Sequence, residues 1–258
     1  MTDGHRIGAA TRVAPADAPP RGAGDGASSP SRRPILDPRA ATVDPLVEAL
    51  PPVPLVRLQP DALRSRLADP PPWQPEAAGD PMRLTGAAAR PAAVLVPLVR
   101  RPHAPTVLLT ERPTHLAVHA GQIAFPGGRS EPHDASAEDT ALREAFEEIG
   151  LRREQVELIG RLPRYRTGTG FDVTPVIGLV EPDHALRLDP NEVAEAFEVP
   201  LPFLMDPANH QRRIYRWEDG ERSFFAIPYR PPHRPQREYF IWGATAAMLR
   251  NLYRLLAA

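Results

Sequence analysis

The chain has 258 residues, 42% of them hydrophobic, enough to bury a sizeable core in one large or two small domains. Its 31 basic and 32 acidic residues leave a formal charge of -1, a balance that gives no sign of nucleic acid or a membrane surface as partner. There is no cysteine, which excludes disulfides, thiol catalysis and thiolate metal sites and is compatible with a reducing cytoplasm.

No apolar run approaches the ~20 residues of a membrane span. The N-terminus, MTDGHRIGAATRVAPADAPP, lacks the apolar centre of a secretory signal, so a cytoplasmic protein is expected. Nearly half of the 34 prolines precede residue 91. Residues 1–40 are rich in Pro, Gly and Ala without apolar periodicity, and are expected to form a disordered tail that cannot offset its own ordering entropy. Residues 41–87 read as an extension with short helices: DPLVEAL and DALRSRLA have helical spacing, and proline clusters at 51–54 and 70–72 interrupt them. Residues 88–258 read as one folded domain.

Within that domain AAVLVPLV (92–99) and TVLLTE (106–111) are apolar runs expected to pair as strands. GQIAFPGG (121–128) reads as a short strand entering a glycine turn. A helix is expected over 137–149, with Ser136 as N-cap, Asp139 completing a short capping box, and Gly150 in the left-handed position beyond its end. Strands follow at 156–162 and 172–180. RIYRW and RSFFAIPY form an expected hairpin turning at Asp219-Gly220. WGATAAMLRNLYRLL (242–256) closes the chain as a helix. The pattern is α+β, a mixed sheet with interspersed helices.

The helix over 137–149 has an expected apolar stripe of Leu142, Ala145, Phe146 and Ile149. It also crowds Glu144, Glu147 and Glu148 into one surface, where each like-charged neighbour costs roughly 0.2–0.5 kcal/mol. Carboxylates gathered this way suit a hard cation, Mg²⁺ or Mn²⁺, which neutralises the repulsion. Arg143 can pair with Glu147 or reach back to an acid of the preceding loop. A strand, a glycine turn, an acidic loop and then this helix bring backbone N–H groups and carboxylates to one place, as a metal-bound phosphate chain requires.

The stretch GGRSEPHDASAEDTALREAFEEIGL (127–151) resembles the signature of the Nudix hydrolases. Two departures stand out: Asp134 replaces the first glutamate, and eight residues rather than seven separate it from Arg143. Upstream, LLTERPTHLAVHAGQIAFPGG (108–128) resembles the second motif of the coenzyme A pyrophosphatase subfamily, matching at Leu108, Leu109, Thr110, Arg112, His119, Gly121, Phe125, Pro126, Gly127 and Gly128. Pro113 stands where a small residue is usual, and Ala117 where a basic one is.

The resemblance implies a Nudix-type α/β/α sandwich with a mixed sheet. It implies hydrolysis of the phosphoanhydride of coenzyme A or its thioesters, giving adenosine 3′,5′-bisphosphate and 4′-phosphopantetheine or an acyl derivative. The partner is then a small coenzyme A-like nucleotide, with Mg²⁺ or Mn²⁺ as cofactor, no nucleic acid, no membrane, and a homodimer compatible. Glu144, Glu148 and Glu147 are the expected metal ligands; Glu147, Glu192 and Arg143 the expected catalytic residues; Arg112, His119 and Gly128 the expected substrate-binding ones. The base stays open between a metal-activated water, a glutamate of the helix, and a carboxylate from another loop, Glu192 or Glu195. Phe125, Trp242 and Tyr253 are expected to be packing residues. The rival readings are a Nudix hydrolase for ADP-ribose, dinucleotides or noncanonical nucleoside triphosphates, and a nucleotide-sensing module without turnover.

Overall fold

A computed structural model of the chain describes residues 37–45, 49–80, 88–114, 121–218 and 220–258. In chain order the elements are β1 (Thr42–Val43), α1 (Pro60–Ala68), β2 (Arg90–Val99), β3 (Thr106–Glu111), β4 (Ile123–Ala124), β5 (Gly127–Arg129), α2 (Ala137–Ile149), β6 (Val156–Arg161), β7 (Tyr165–Arg166), β8 (Phe171–Val180), β9 (Glu195–Pro200), α3 (Leu201–Leu204), β10 (Gln211–Trp217), β11 (Gly220–Tyr229), β12 (Tyr239–Trp242) and α4 (Gly243–Ala257). This is a mixed α+β fold with one large mixed sheet and, among the described residues, four α-helices.

The large sheet runs β4-β3-β2-β8-β6, with β5 also on β2, β7 on β8 and β9 on β3. Its spine is the parallel pair β2–β8, in register from Arg90↔Phe171 to Val99↔Val180. Both strands are near-continuous apolar runs because both faces are covered. On one face α2 packs Ala141, Ala145 and Ile149 against Ala93, Leu95, Val99, Val176 and Val180. On the other, α4 and a smaller antiparallel sheet, β1-β10-β11-β12, pack Ile227, Ile241, Leu249 and Leu252 against Val96, Leu98, Ile177 and Leu179. Sheet and flanking layers thus make a sandwich in which the acidic helix has one face to itself.

The expected caps of α2 are present. Ser136 accepts the Asp139 N–H, and Gly150 takes φ 70°. A strap over residues 76–80 ties the extension to the body. Glu76 bonds Arg250 and Arg254, and Ala77 exchanges two bonds with the Asn251 amide. Asp80 accepts from Tyr165 Oη and the Gly168 N–H, both at 2.7 Å.

Several expectations change. The expected tail over 1–40 lies outside the described residues except at its end, where Pro38–Ala40 form a 3-10 turn capped by Asp37. DALRSRLA is helical as part of α1, whereas the described residues of DPLVEAL form no helix. β9 and β12 are strands that the sequence reading did not anticipate. Asp219 lies outside the described residues, although β10 and β11 pair as the expected hairpin from Gln211↔Ala226 to Trp217↔Gly220. The largest revision concerns the stripe on α2: Phe146 is 50% exposed, while Glu148 is 5% exposed. The face turned to the sheet is Ala141, Ala145, Glu148 and Ile149, so an apolar side chain faces water and a carboxylate faces the core.

Candidate active site

The site is assembled where α2 crosses the glycine turn. β5 pairs with β2, Gly127 opposite Val94 and Gly128 opposite Ala93, which brings its backbone under α2. A Cβ at Gly128 would lie 2.5 Å from a Glu144 carboxylate oxygen. Only glycine leaves room for that carboxylate against the strand. Gly128, expected to bind substrate, therefore acts first on Glu144. The Gly127 backbone donates a hydrogen bond to Glu148.

Arg143 organises the start of the site. Its Nε and Nη2 reach Asp134 at 3.0 Å each, a bidentate pair. Nη1 lies 3.0 Å from Glu144 and 2.9 Å from Glu147, and Nη2 also bonds the Arg129 carbonyl at 3.1 Å. The Arg143 guanidinium, first of all, holds the buried Asp134 carboxyl far below the usual carboxylate range, with the Glu131 N–H and Thr140 Oγ1 assisting. Asp134, Arg143, Thr140 and the Glu131 N–H thus form a closed brace for the loop before α2. Its contacts make Arg143 a residue that holds Glu144, rather than one that reaches into an open space.

The three helix glutamates differ. Glu147 has a 55% exposed side chain and pairs with Arg143. Glu144 is 16% exposed at its side chain, and burial pushes its pKa up, with Glu147 and Glu192 adding to the rise and Arg143 opposing it. Burial first, then the nearby charges of Glu192 and Glu144, push Glu148 up to about 8, against the pull of Arg112 and the Gly127 N–H. Glu148 is therefore a buried acid facing two others, with one arginine close by.

Glu192 joins this group from a loop tied to the end of α2. The Asp189 N–H bonds the Glu148 carbonyl at 2.9 Å, and the Glu192 and Val193 N–H groups bond the Asp189 carbonyl at 3.1 and 2.8 Å. Asp189 also accepts the Asn191 N–H on its own side chain. Its tethering role was missed in the sequence, although the Asp-Pro-Asn turn signal was there to be read. Glu195, the other candidate base, is engaged elsewhere: it accepts from Arg234 at 2.5 Å and Tyr239 at 2.9 Å. Arg112 sits at the neck of the following loop, where its N–H bonds Gln122 and its carbonyl accepts from Gly121. His119 lies outside the described residues. Phe125 and Tyr253 are buried, as expected of packing residues, and Trp242, just before α4, sets its ring edge-on against Phe224.

Among the described residues, no three acidic or histidine side chains already stand close enough to form a complete cation cage. The donor set nonetheless fits a hard divalent ion. Mg²⁺ commonly takes one or two protein carboxylates and completes its shell with water and substrate phosphate, and Glu148 and Glu144 are oxygen donors whose mutual repulsion such an ion relieves.

The family model of the NUDIX domain matches residues 89–217. The chain is 44% identical over 164 residues to an uncharacterized Nudix hydrolase, NudL, of Escherichia coli K12, covering 63% of this chain and 81% of that protein. The same identity and coverage hold for NudL of Shigella boydii. A solved Nudix hydrolase of M. smegmatis, RenU, overlaps with a TM-score of 0.40 at 26% identity, over 46% of this chain and 78% of its own. The chain belongs to the Nudix family. Nudix hydrolases generally use divalent ions such as Mg²⁺ or Mn²⁺.

Proposed function

We propose that the protein hydrolyses the pyrophosphate linkage of coenzyme A or its thioesters, releasing adenosine 3′,5′-bisphosphate and 4′-phosphopantetheine or its acyl derivative. The observation that carries hydrolysis is the buried Glu148, set against Glu144 and Glu192 with too little positive charge to balance them. A diphosphate with its divalent ion supplies what is missing. The substrate class is supported by the 108–128 stretch, whose residues Arg112 and Gly127 both act on Glu148.

When bound, a divalent ion neutralises the diphosphate and lowers the pKa of water. Glu148 and Glu144 provide its protein oxygens, with Glu147 at the exposed rim. Arg143 and Gly128 hold Glu144 in place. Arg112 holds a phosphate oxygen through two N–H groups. Glu192 takes a proton from the attacking water; the new P–O bond forms as the bridging P–O bond breaks, and the leaving phosphate keeps the electron pair.

The test is to incubate the full chain with coenzyme A, ADP-ribose and dinucleotides, with and without Mg²⁺, and to identify products by mass. Cleavage of coenzyme A between its phosphates, dependent on Mg²⁺, is expected. Much faster cleavage of ADP-ribose under the same conditions would refute the substrate assignment.

A further inference from the structure

One loop that reaches Glu195 and Glu111 takes no part in the proposed chemistry. Residues 230–238, between β11 and β12, carry Arg234 and Arg237. They reach a weak point in the sheet. Glu111 of β3 stands directly opposite Glu195 of β9. Like charges directly opposed on paired strands destabilise the pair. These side chains are 15% and 29% exposed, so water screens them poorly. Among the described residues β9 is also an edge strand, held on one side by β3.

This end of the pair matters to the site. Arg112 directly follows Glu111, and Glu192 precedes Glu195 by three residues. The Ala194 N–H bonds the Glu111 carbonyl at 2.8 Å, which closes the two strands at that point. Repulsion between Glu111 and Glu195 acts to open it.

Arg237 sits between the two charges. Its Nη2 bonds the Glu111 carboxylate and lies 3.7 Å from Glu195. Its guanidinium lies 5.0 Å from the centre of the Tyr239 ring, which is also stacked at 3.7 Å on Phe197 of β9. Arg234 and Tyr239 secure the same Glu195 carboxylate. A solvated arginine patch has no reason to bridge an opposed acid pair while lying against a ring stacked on the same strand.

We propose that Arg237 is a positioning residue: it clips β3 to β9 at Glu111 and Glu195, and so keeps Arg112 and the Glu192 loop facing Glu148. The inference rests on the roles given above to Glu192 and Arg112, and its test separates the two.

The variants are Arg237→Gln, Arg237→Lys, Arg237→Gln with Glu111→Gln, Glu192→Gln, and Arg237→Gln with Glu192→Gln, all in the full chain. Hydrogen exchange by mass spectrometry reads peptides over 189–195 and over α2, with no need for turnover. Kinetics use whichever pyrophosphate the wild type cleaves. In Arg237→Gln, exchange over 189–195 should be several-fold faster and exchange over α2 unchanged, with kcat down about tenfold or more, as displacement of a positioned group commonly costs. Arg237→Lys should restore part of both. Adding Glu111→Gln removes the repulsion and should return slow exchange, which also serves if Arg237→Gln alone folds poorly. Combined with Glu192→Gln, the loss of kcat should fall well short of the product of the two single losses, because only the part that acts through Arg112 remains. Unchanged exchange over 189–195, or losses of kcat that multiply in the Glu192 double variant, would overturn the proposal. If Glu192→Gln alone keeps full kcat, the role of Glu192 is what fails, and the exchange data then decide for or against Arg237.

Discussion

Two groups of buried charges lie on opposite faces of the large sheet, and they are balanced differently. On the α4 face, Arg250 is 3% exposed at its side chain and pairs with Glu76 at 2.7 Å. It also lies over the rings of Phe225 and Tyr253 and 3.4 Å from His210. Beside it the Asn251 amide is satisfied at both ends by Ala77. The chain itself supplies the partners. On the α2 face, Glu148 meets Glu144 and Glu192 with Arg112 as the opposing charge. Burying charge is costly unless it is paired. A cluster that satisfies itself holds the fold together. One left short of positive charge keeps a place for a cation from outside.

Removing the central acid should separate the two clusters most sharply. Glu148→Gln keeps the shape of the side chain but not the charge, and kcat should fall about 10²–10³-fold, as for loss of one electrostatic contact in a transition state. Without metal, the variant should melt no lower than the wild type, because an acid that is ionised in the unfolded chain no longer has to be buried. Its thermal shift on adding Mg²⁺ should shrink, since a ligand stabilises in proportion to its affinity for the folded state. Near-normal kcat with an unchanged Mg²⁺ shift would reduce Glu148 to a structural acid.

The self-satisfied cluster should respond the other way. Arg250→Ala leaves Glu76 half-buried with Arg254 as its remaining partner, and should cost about 3 kcal/mol of stability. The kcat of the folded fraction should hold. Urea melts paired with activity per folded molecule check this, and a loss of kcat at full stability would show that the two faces are not independent.

The pH dependence of metal-free stability should carry one edge from each face. Burial pushes His210 down to about 4 from 6.5; its ring bonds the Leu204 carbonyl. The unfolded state takes up a proton that the folded state refuses, so stability falls as pH drops from about 6.5 to about 4. Glu148 gives the opposite edge. Unfolded it ionises near 4.5 and folded near 8, so stability falls as pH rises through that window. Thermal melts across pH should flatten at the acid edge in His210→Gln and at the alkaline edge in Glu148→Gln. A variant that flattens the other cluster's edge would contradict these assignments.

The smallest effect is expected at the N-terminus. A chain starting at residue 41 loses the ion pair of Arg39 with Glu238 and its place over the Phe240 ring. Exposed contacts of this kind are worth up to about 1 kcal/mol, and kcat should not change. A large fall in kcat for a folded truncation would give the first forty residues a part in the chemistry.

The sequence made α2 legible to the residue because its signals are local: a serine cap, a glycine stop and a run between them. The apolar runs of β2, β3 and β8 were equally plain. What escaped depends on distant partners. β9 looks like an acidic loop because Glu195 and Glu198 interrupt it, yet Arg234 and Arg101 neutralise them from far along the chain. The stripe on α2 misled because apolar spacing cannot tell which way Phe146 turns once the glycine strand has drawn Glu148 inward. Glu144, Glu148 and Glu192 could be named from the sequence, but not that Glu148 is the buried one, or that Arg143 braces Asp134. Those facts belong to the meeting of β5 with α2.

The parallel pairing of β2 with β8 has a consequence for how the site comes into being. Its partners lie far apart in the chain, with α2 in the segment between them. Closing so long a loop is entropically costly before any contact repays it. α2 can form early as a capped helix, with Glu148 still in water and ionised at neutral pH. Only when β8 docks does that carboxylate lose its solvent. Assembly of the spine and desolvation of the acid are therefore a single late event. Refolding at alkaline pH without metal should be slowed by the charge that must then be buried, and Mg²⁺ should relieve the delay.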